Sequence, residues 1–90
     1  MNDIEVGAAI CCSPKRCVLG KQSTGTRNRV LISLDCPKGF KARGTIHSHP
    51  GPGDRAYLST ADIINLQRAR LSVGCVTSGK ITRCFRIKRK

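Results

Sequence analysis

The chain has 90 residues, enough for one domain that buries only about 60–65% of its unfolded surface. It carries 17 Lys and Arg against 5 Asp and Glu, and this net charge of +12 favours acidic partners such as nucleic acid or an acidic protein. Aromatic residues are 3% and Trp is absent, so the core must come from Ile, Leu, Val, Ala and Cys, and a stacking platform for single-stranded nucleic acid is unsupported.

Ile4 to Cys12 predicts a strand, because Ile4, Val6, Ala8 and Ile10 alternate with Glu5, Gly7 and Ala9. Glu5 is the one charge inside that run. Ser13-Pro14-Lys15-Arg16 is a turn, Cys17 to Leu19 a short strand, and Gly20 to Asn28 a polar loop. Arg29 to Leu34 alternates Val30, Ile32 and Leu34 and predicts another strand. After a turn at Asp35 to Gly39, Phe40 to His49 is a strand that ends on two histidines. A loop from Gly51 to Leu58 leads to Ser59, which caps a helix reaching about Arg70. Ala61, Ile63, Ile64, Leu66 and Leu71 give it a broad apolar stripe to bury. Ser72 to Thr77 and Ile81 to Ile87 form a hairpin around Ser78-Gly79-Lys80. With Gly79-Lys80 as a two-residue turn, Cys75 would face Cys84 across it.

Cys11, Cys12, Cys17, Cys36, Cys75 and Cys84 contain no Cys-x-x-Cys pair, so a zinc ribbon is not expected. The thiols serve either as small core residues or as staples of a small domain. No apolar run approaches the roughly 20 residues of a membrane span. The acidic start Met-Asn-Asp-Ile-Glu lacks the basic and apolar regions of a signal peptide. The expected location is the cytoplasm, with no membrane partner; disulfides there would suit a hyperthermophile.

The chemistry concentrates in Ile46-His47-Ser48-His49-Pro50 and Leu58-Ser59-Thr60-Ala61-Asp62. Strand side chains alternate, so His47 and His49 leave the same face. Ser59 and Asp62 lie three apart at a helix start and meet on its first turn. Two nitrogens and one carboxylate can share a cation and leave a fourth tetrahedral position open, as hydrolytic zinc requires. Each piece also has a plainer use. Ser-x-x-Asp is an ordinary capping box, His-x-His a polar pair, and Glu5 a terminal charge. Their joint order and spacing favour the metal. Asp54 is a rival to Asp62 as third ligand, without the Ser-x-x-Asp context.

His-Ser-His-Pro, a loop and Ser-x-x-Asp together resemble the JAMM (MPN+/JAB) zinc metalloprotease motif, with Glu5 in place of the family's upstream glutamate. The tail from Gly74 to Ile87 is similar to the family's closing strand pair, so residues 1–90 correspond to one such domain. The resemblance implies an α/β fold: a mixed twisted sheet with a flanking helix, cytidine-deaminase-like, its helices reduced. It implies one zinc held by His47, His49 and Asp62, with Glu5 as general base and Ser59 as oxyanion donor. Pro50 would end the strand and Ser48 would be structural. The implied substrate is a ubiquitin-like protein or its conjugates, cut after its C-terminus and bound along an exposed strand edge. The chain departs from the family pattern in a slightly longer loop before Ser59 and in two missing helices, one before Glu5 and one reduced to the Asp35–Lys41 turn. A second copy or a partner protein is therefore expected over the bare sheet. The alternatives are an inactive scaffold of the same fold and a RadC-like protein associated with nucleic acid, which no DNA-binding motif supports.

Overall fold

Alternation over β-prone residues builds one six-stranded sheet in this computed structural model, which describes residues 4–26, 30–49 and 56–88. The strands are β1 (Val6–Cys12), β2 (Cys17–Leu19), β3 (Ser23–Thr24), β4 (Lys41–Ser48), β5 (Val73–Ser78) and β6 (Ile81–Arg86), with α1 (Thr60–Arg68) between β4 and β5. Their order is β2-β1-β4-β5-β6, and β3 pairs β1. Only β4 and β5 run parallel among these pairs, so the sheet is mixed. A parallel pair needs a crossover, and the stretch containing α1 supplies it.

Strand partners share a face, and this arrangement locates the two covers of the sheet. Gly7 pairs with His47, and a Cβ on Gly7 would come within 2.7 Å of the Ile32 side chain. Residues 30–36 therefore cross β1 on the histidine face. Gly74 pairs with Thr45 on that same face, and a Cβ there would approach Leu66 Cδ1 to 2.5 Å. Leu66 of α1 seats in this notch, beside Leu71 and Ile87. A bulge after Ile10 skips Arg43 and pairs Cys11 with Ala42, which brings Ala42 against the same cluster. No helix among the described residues covers the opposite face.

Three expectations are corrected. Arg29 to Leu34 does not form a strand: its described part, residues 30–34, has no regular structure. One edge of β1 is filled by β4 and the other by β2 and β3, so the segment has no β1 edge to join and lies across the face instead. The expected polar loop at Gly20 to Asn28 accordingly contains β3. The broad stripe of α1 is also not buried. Leu66 is 5% exposed, but Ile63 and Ile64 are 37% and 39% exposed. The nine-residue helix has room for only one row of contacts on β5.

The other elements follow the sequence closely. Ser59 caps α1. The helix ends in a Schellman motif: Leu71 N–H donates to Leu66 O and Arg70 N–H to Gln67 O, both at 3.0 Å. Arg70 takes the left-handed position there, φ 57°, where glycine is usual. Gly79, at φ 59°, makes the two-residue hairpin turn that sets Cys75 opposite Cys84. The expected β1 begins at Val6, but Glu5 continues its ladder. Glu5 N–H donates to Thr26 O at 2.8 Å, and Glu5 O accepts from Gly25 N–H at 2.9 Å. Pro50, Asp54 and most of the Gly51–Leu58 loop lie outside the described residues. None of the described helices is long and apolar enough to cross a membrane.

All six cysteines are paired, as Cys11–Cys36, Cys12–Cys17 and Cys75–Cys84. Alkylation of the denatured, unreduced chain should therefore modify no thiol. The bridges close loops of 25, 5 and 9 residues in sequence separation. Loop-closure entropy gives about 3.5 kcal/mol for the first and about 2.6 kcal/mol for the third. In urea unfolding, Cys11→Ala/Cys36→Ala should destabilise more than Cys75→Ala/Cys84→Ala; the reverse order would mean that loop closure is not the governing effect.

Candidate metal centre

β4 delivers His47, and His49 follows one residue beyond its end. His49 N–H donates to Thr77 O at 2.9 Å, so the β5 ladder, and with it the alternation, extends through His49. The two Nε2 atoms lie 2.9 Å apart, with the rings edge to face at 61°. Ser48 points to the opposite face, where its Oγ accepts Val6 N–H at 3.0 Å. That bond ties β4 to β1 just beside the histidines and gives Ser48 the structural role expected of it.

Asp62 comes from the first turn of α1. Its Oδ2 accepts Ser59 N–H at 3.0 Å, while Ser59 Oγ accepts Asp62 N–H at 3.1 Å. This is a complete capping box. The same Oδ2 lies 3.4 Å from His47 Nε2 and 4.0 Å from His49 Nε2. The oxygen that completes the capping box is therefore also the one that faces the two histidines. Burial alone would raise the Asp62 carboxyl, but the hydrogen bonds with His47 and Ser59 and the charge attraction to His47 outweigh it. The group is held at about 2, below its ordinary 3.8. A lowered carboxylate value stabilises the fold above its unfolded value, and this contribution is lost as pH falls through about 2.

Glu5 approaches from β1. It is 9% exposed, and one of its carboxylate oxygens lies with a ring nitrogen each of His47 and His49 in a group whose atoms are all within 4.8 Å. Its backbone N–H and C=O are both held by the Gly25–Thr26 segment that follows β3, a partner the polar composition of that stretch does not announce. Zinc–ligand bonds of about 2.0–2.2 Å imply ligand separations near 3.3–3.6 Å in a tetrahedron. The separations among His47, His49 and Asp62, at 2.9, 3.4 and 4.0 Å, bracket that range. Two imidazoles and an ionised carboxylate are also a donor set that zinc accepts.

A cleft of about 630 Å³ opens over this centre. Its floor includes Thr45 and His47, one wall is α1 at Ala61 and Asn65, and the other is Leu31 and Leu34. The access route thus runs across the sheet face between the two covers. Leu31, 86% exposed, and Leu34, 41% exposed, give it an apolar lip that the expected strand at Arg29 to Leu34 had concealed.

The purified protein should hold about one zinc per chain, read by native mass spectrometry. His47→Ala or Asp62→Asn should weaken binding at least about 100-fold, since outer partners alone contribute about 10–100-fold. Asp62→Asn retains a capping oxygen, so α1 should survive. Asp54→Ala should keep its zinc, and metal loss in that variant alone would move the third ligand to Asp54.

No protein-family model matches the sequence, and a search of curated proteins gives no match. Among solved structures, a JAB1/MPN domain protein from Archaeoglobus fulgidus matches 91% of this chain and 69% of its own length, with TM-score 0.57 and 22% sequence identity. The mixed sheet, its flanking helix and this superposition together give the chain the JAB1/MPN fold.

Proposed function

We propose that the chain is a zinc-dependent hydrolase of the JAMM type, which cuts the peptide or isopeptide bond after the C-terminus of a ubiquitin-like protein. The observation that carries this reading is the convergence of Glu5, His47, His49 and Asp62 from three separate elements at the floor of one open cleft. Zinc held by His47, His49 and Asp62 would lower the pKa of a water and polarise the scissile carbonyl.

Glu5 takes one proton from the attacking water as the oxygen bonds to the carbonyl carbon. It then returns that proton to the amine nitrogen as the C–N bond breaks, leaving on the modifier a carboxylic acid, which keeps the water's second proton until it ionises to solvent, and a free amine on the target. Ser59 serves the oxyanion. Its Oγ already accepts Asp62 N–H, and the hydroxyl still has its own hydrogen to donate. The apolar lip at Leu31 and Leu34 suits an extended tail of small and aliphatic residues. The protein works in a cytoplasm that tolerates disulfides, such as that of a hyperthermophile.

The test is incubation of the zinc-loaded protein with linear and isopeptide-linked ubiquitin-like conjugates, followed by mass analysis of the products. Zinc binding without any cleavage would replace this reading with that of a non-catalytic scaffold. Glu5→Gln keeps the side-chain volume and one acceptor oxygen but cannot carry the proton. Its zinc content should persist while the cleavage rate falls by roughly 10²–10⁴-fold. Cleavage at the wild-type rate would remove Glu5 from the reaction.

A further inference from the structure

The positive charge looks scattered along the sequence, but the topology gathers it. β4 starts at the end of the sheet far from the histidines. β1 runs into that end, β2 and β5 leave it, and β6 returns to it. Arg16 lies in the β1–β2 turn, Lys41 and Arg43 begin β4, and Arg70 follows α1. Arg86 ends β6, and Lys88 is brought alongside by the Gln67 amide, which donates to its carbonyl at 3.0 Å. All six side chains are exposed.

Among the described residues, carboxylate side chains are few near this end. Glu5 and Asp62 are both at the metal centre, and Asp35 is the one acidic residue toward the basic end, held there by the bridge of the next residue, Cys36, to Cys11. Apolar anchors are sparse too: among the described residues, Leu19 on the short β2 is the exposed large hydrophobic side chain of the strands near this end, while Leu31, Ile63 and Ile64 lie outside the strands. A protein partner needs a desolvated apolar or aromatic centre inside a polar rim. A phosphate backbone needs only cations at suitable spacing. Five strands at 4.7–4.9 Å spread these charges over about 19 Å. That length faces about eleven phosphate charges of a duplex, at one per roughly 1.7 Å.

We propose that this basic end of the sheet docks the phosphate backbone of a nucleic-acid duplex, without reading its sequence, while the metal centre at the opposite end stays clear. The partial burial of the phenylalanines near this end favours duplex over single strand: Phe40 is half-buried beneath the Arg16 guanidinium, 5.7 Å from its ring centre, and Phe85, next to Arg86, is half-buried with its ring 6.4 Å from that of Tyr57.

The experiment is fluorescence anisotropy of a labelled DNA duplex of roughly 20 base pairs, titrated with the full chain at several salt concentrations. Binding should weaken linearly in log K against log salt. Arg43→Gln/Arg86→Gln should reduce that slope by about 1.8, two phosphate contacts at about 0.9 each. Lys21→Gln/Lys80→Gln removes the same charge near the other end and should leave the slope unchanged. Lys41→Gln/Lys88→Gln replaces the first pair if its unfolding midpoint drops. Equal slope losses from the two ends would overturn the proposal in favour of diffuse charge, and no duplex binding would overturn it outright. Tighter binding to polyglutamate of equal charge would assign the surface to an acidic protein instead.

Discussion

The pairing of β1 with β4, in the register that sets Gly7 opposite His47, is the constraint on which the candidate centre rests. A slip of one residue would turn every side chain of one strand to the other face. Glu5 would then leave the histidines, and Ser48 Oγ would lose the Val6 N–H. The register is held from several directions. Ser48 bonds it from the far face, Gly25 and Thr26 fix the Glu5 backbone, and the Arg43 bulge marks the point beyond which the pairing shifts. Gly7 matters for a related reason. Lacking a Cβ, it lets Ile32 settle directly over the strand, so one cover of the sheet sits close beside the site.

The second constraint is local to α1. A carboxylate aimed at two imidazoles must be kept ionised and kept still. The capping box keeps it still, and its Ser59 N–H, together with the hydrogen bond and charge of His47, stabilises the negative charge. A capping aspartate at the third helical position is thus a natural source of a ligand, since its direction is fixed by backbone and not by long-range packing.

Local signals were the legible ones. The strand alternation of β1 and β4, the Gly79-Lys80 turn with its facing cysteines, and the Ser59 cap all depend on residues near one another in sequence, and all appear in the fold. Motif order also singled out Glu5, His47, His49 and Asp62, and the structure places these groups near one another. What failed depended on competition between distant segments. Val30, Ile32 and Leu34 alternate as a strand should, yet β3 and β2 take the edge they would need. The Cys11–Cys36 bridge follows from that segment crossing the face, and spacing alone gives no hint of it. The basic end was equally hidden, since its cations come from every part of the chain and meet only through strand direction.

The two covers of the histidine face are attached differently. The 30–36 segment is bound to β1 through a covalent bridge at Cys36. The helix rests on the sheet chiefly through Leu66 in the Gly74 notch. Its undocking would therefore require little apolar exposure and would carry Asp62 away while leaving both histidines in the sheet. Local opening of α1 and release of a cation would then be one equilibrium seen from two sides. Any ion shared by His47, His49 and Asp62 would act as a clasp on the helix, raising amide-exchange protection in α1 in proportion to the logarithm of its concentration.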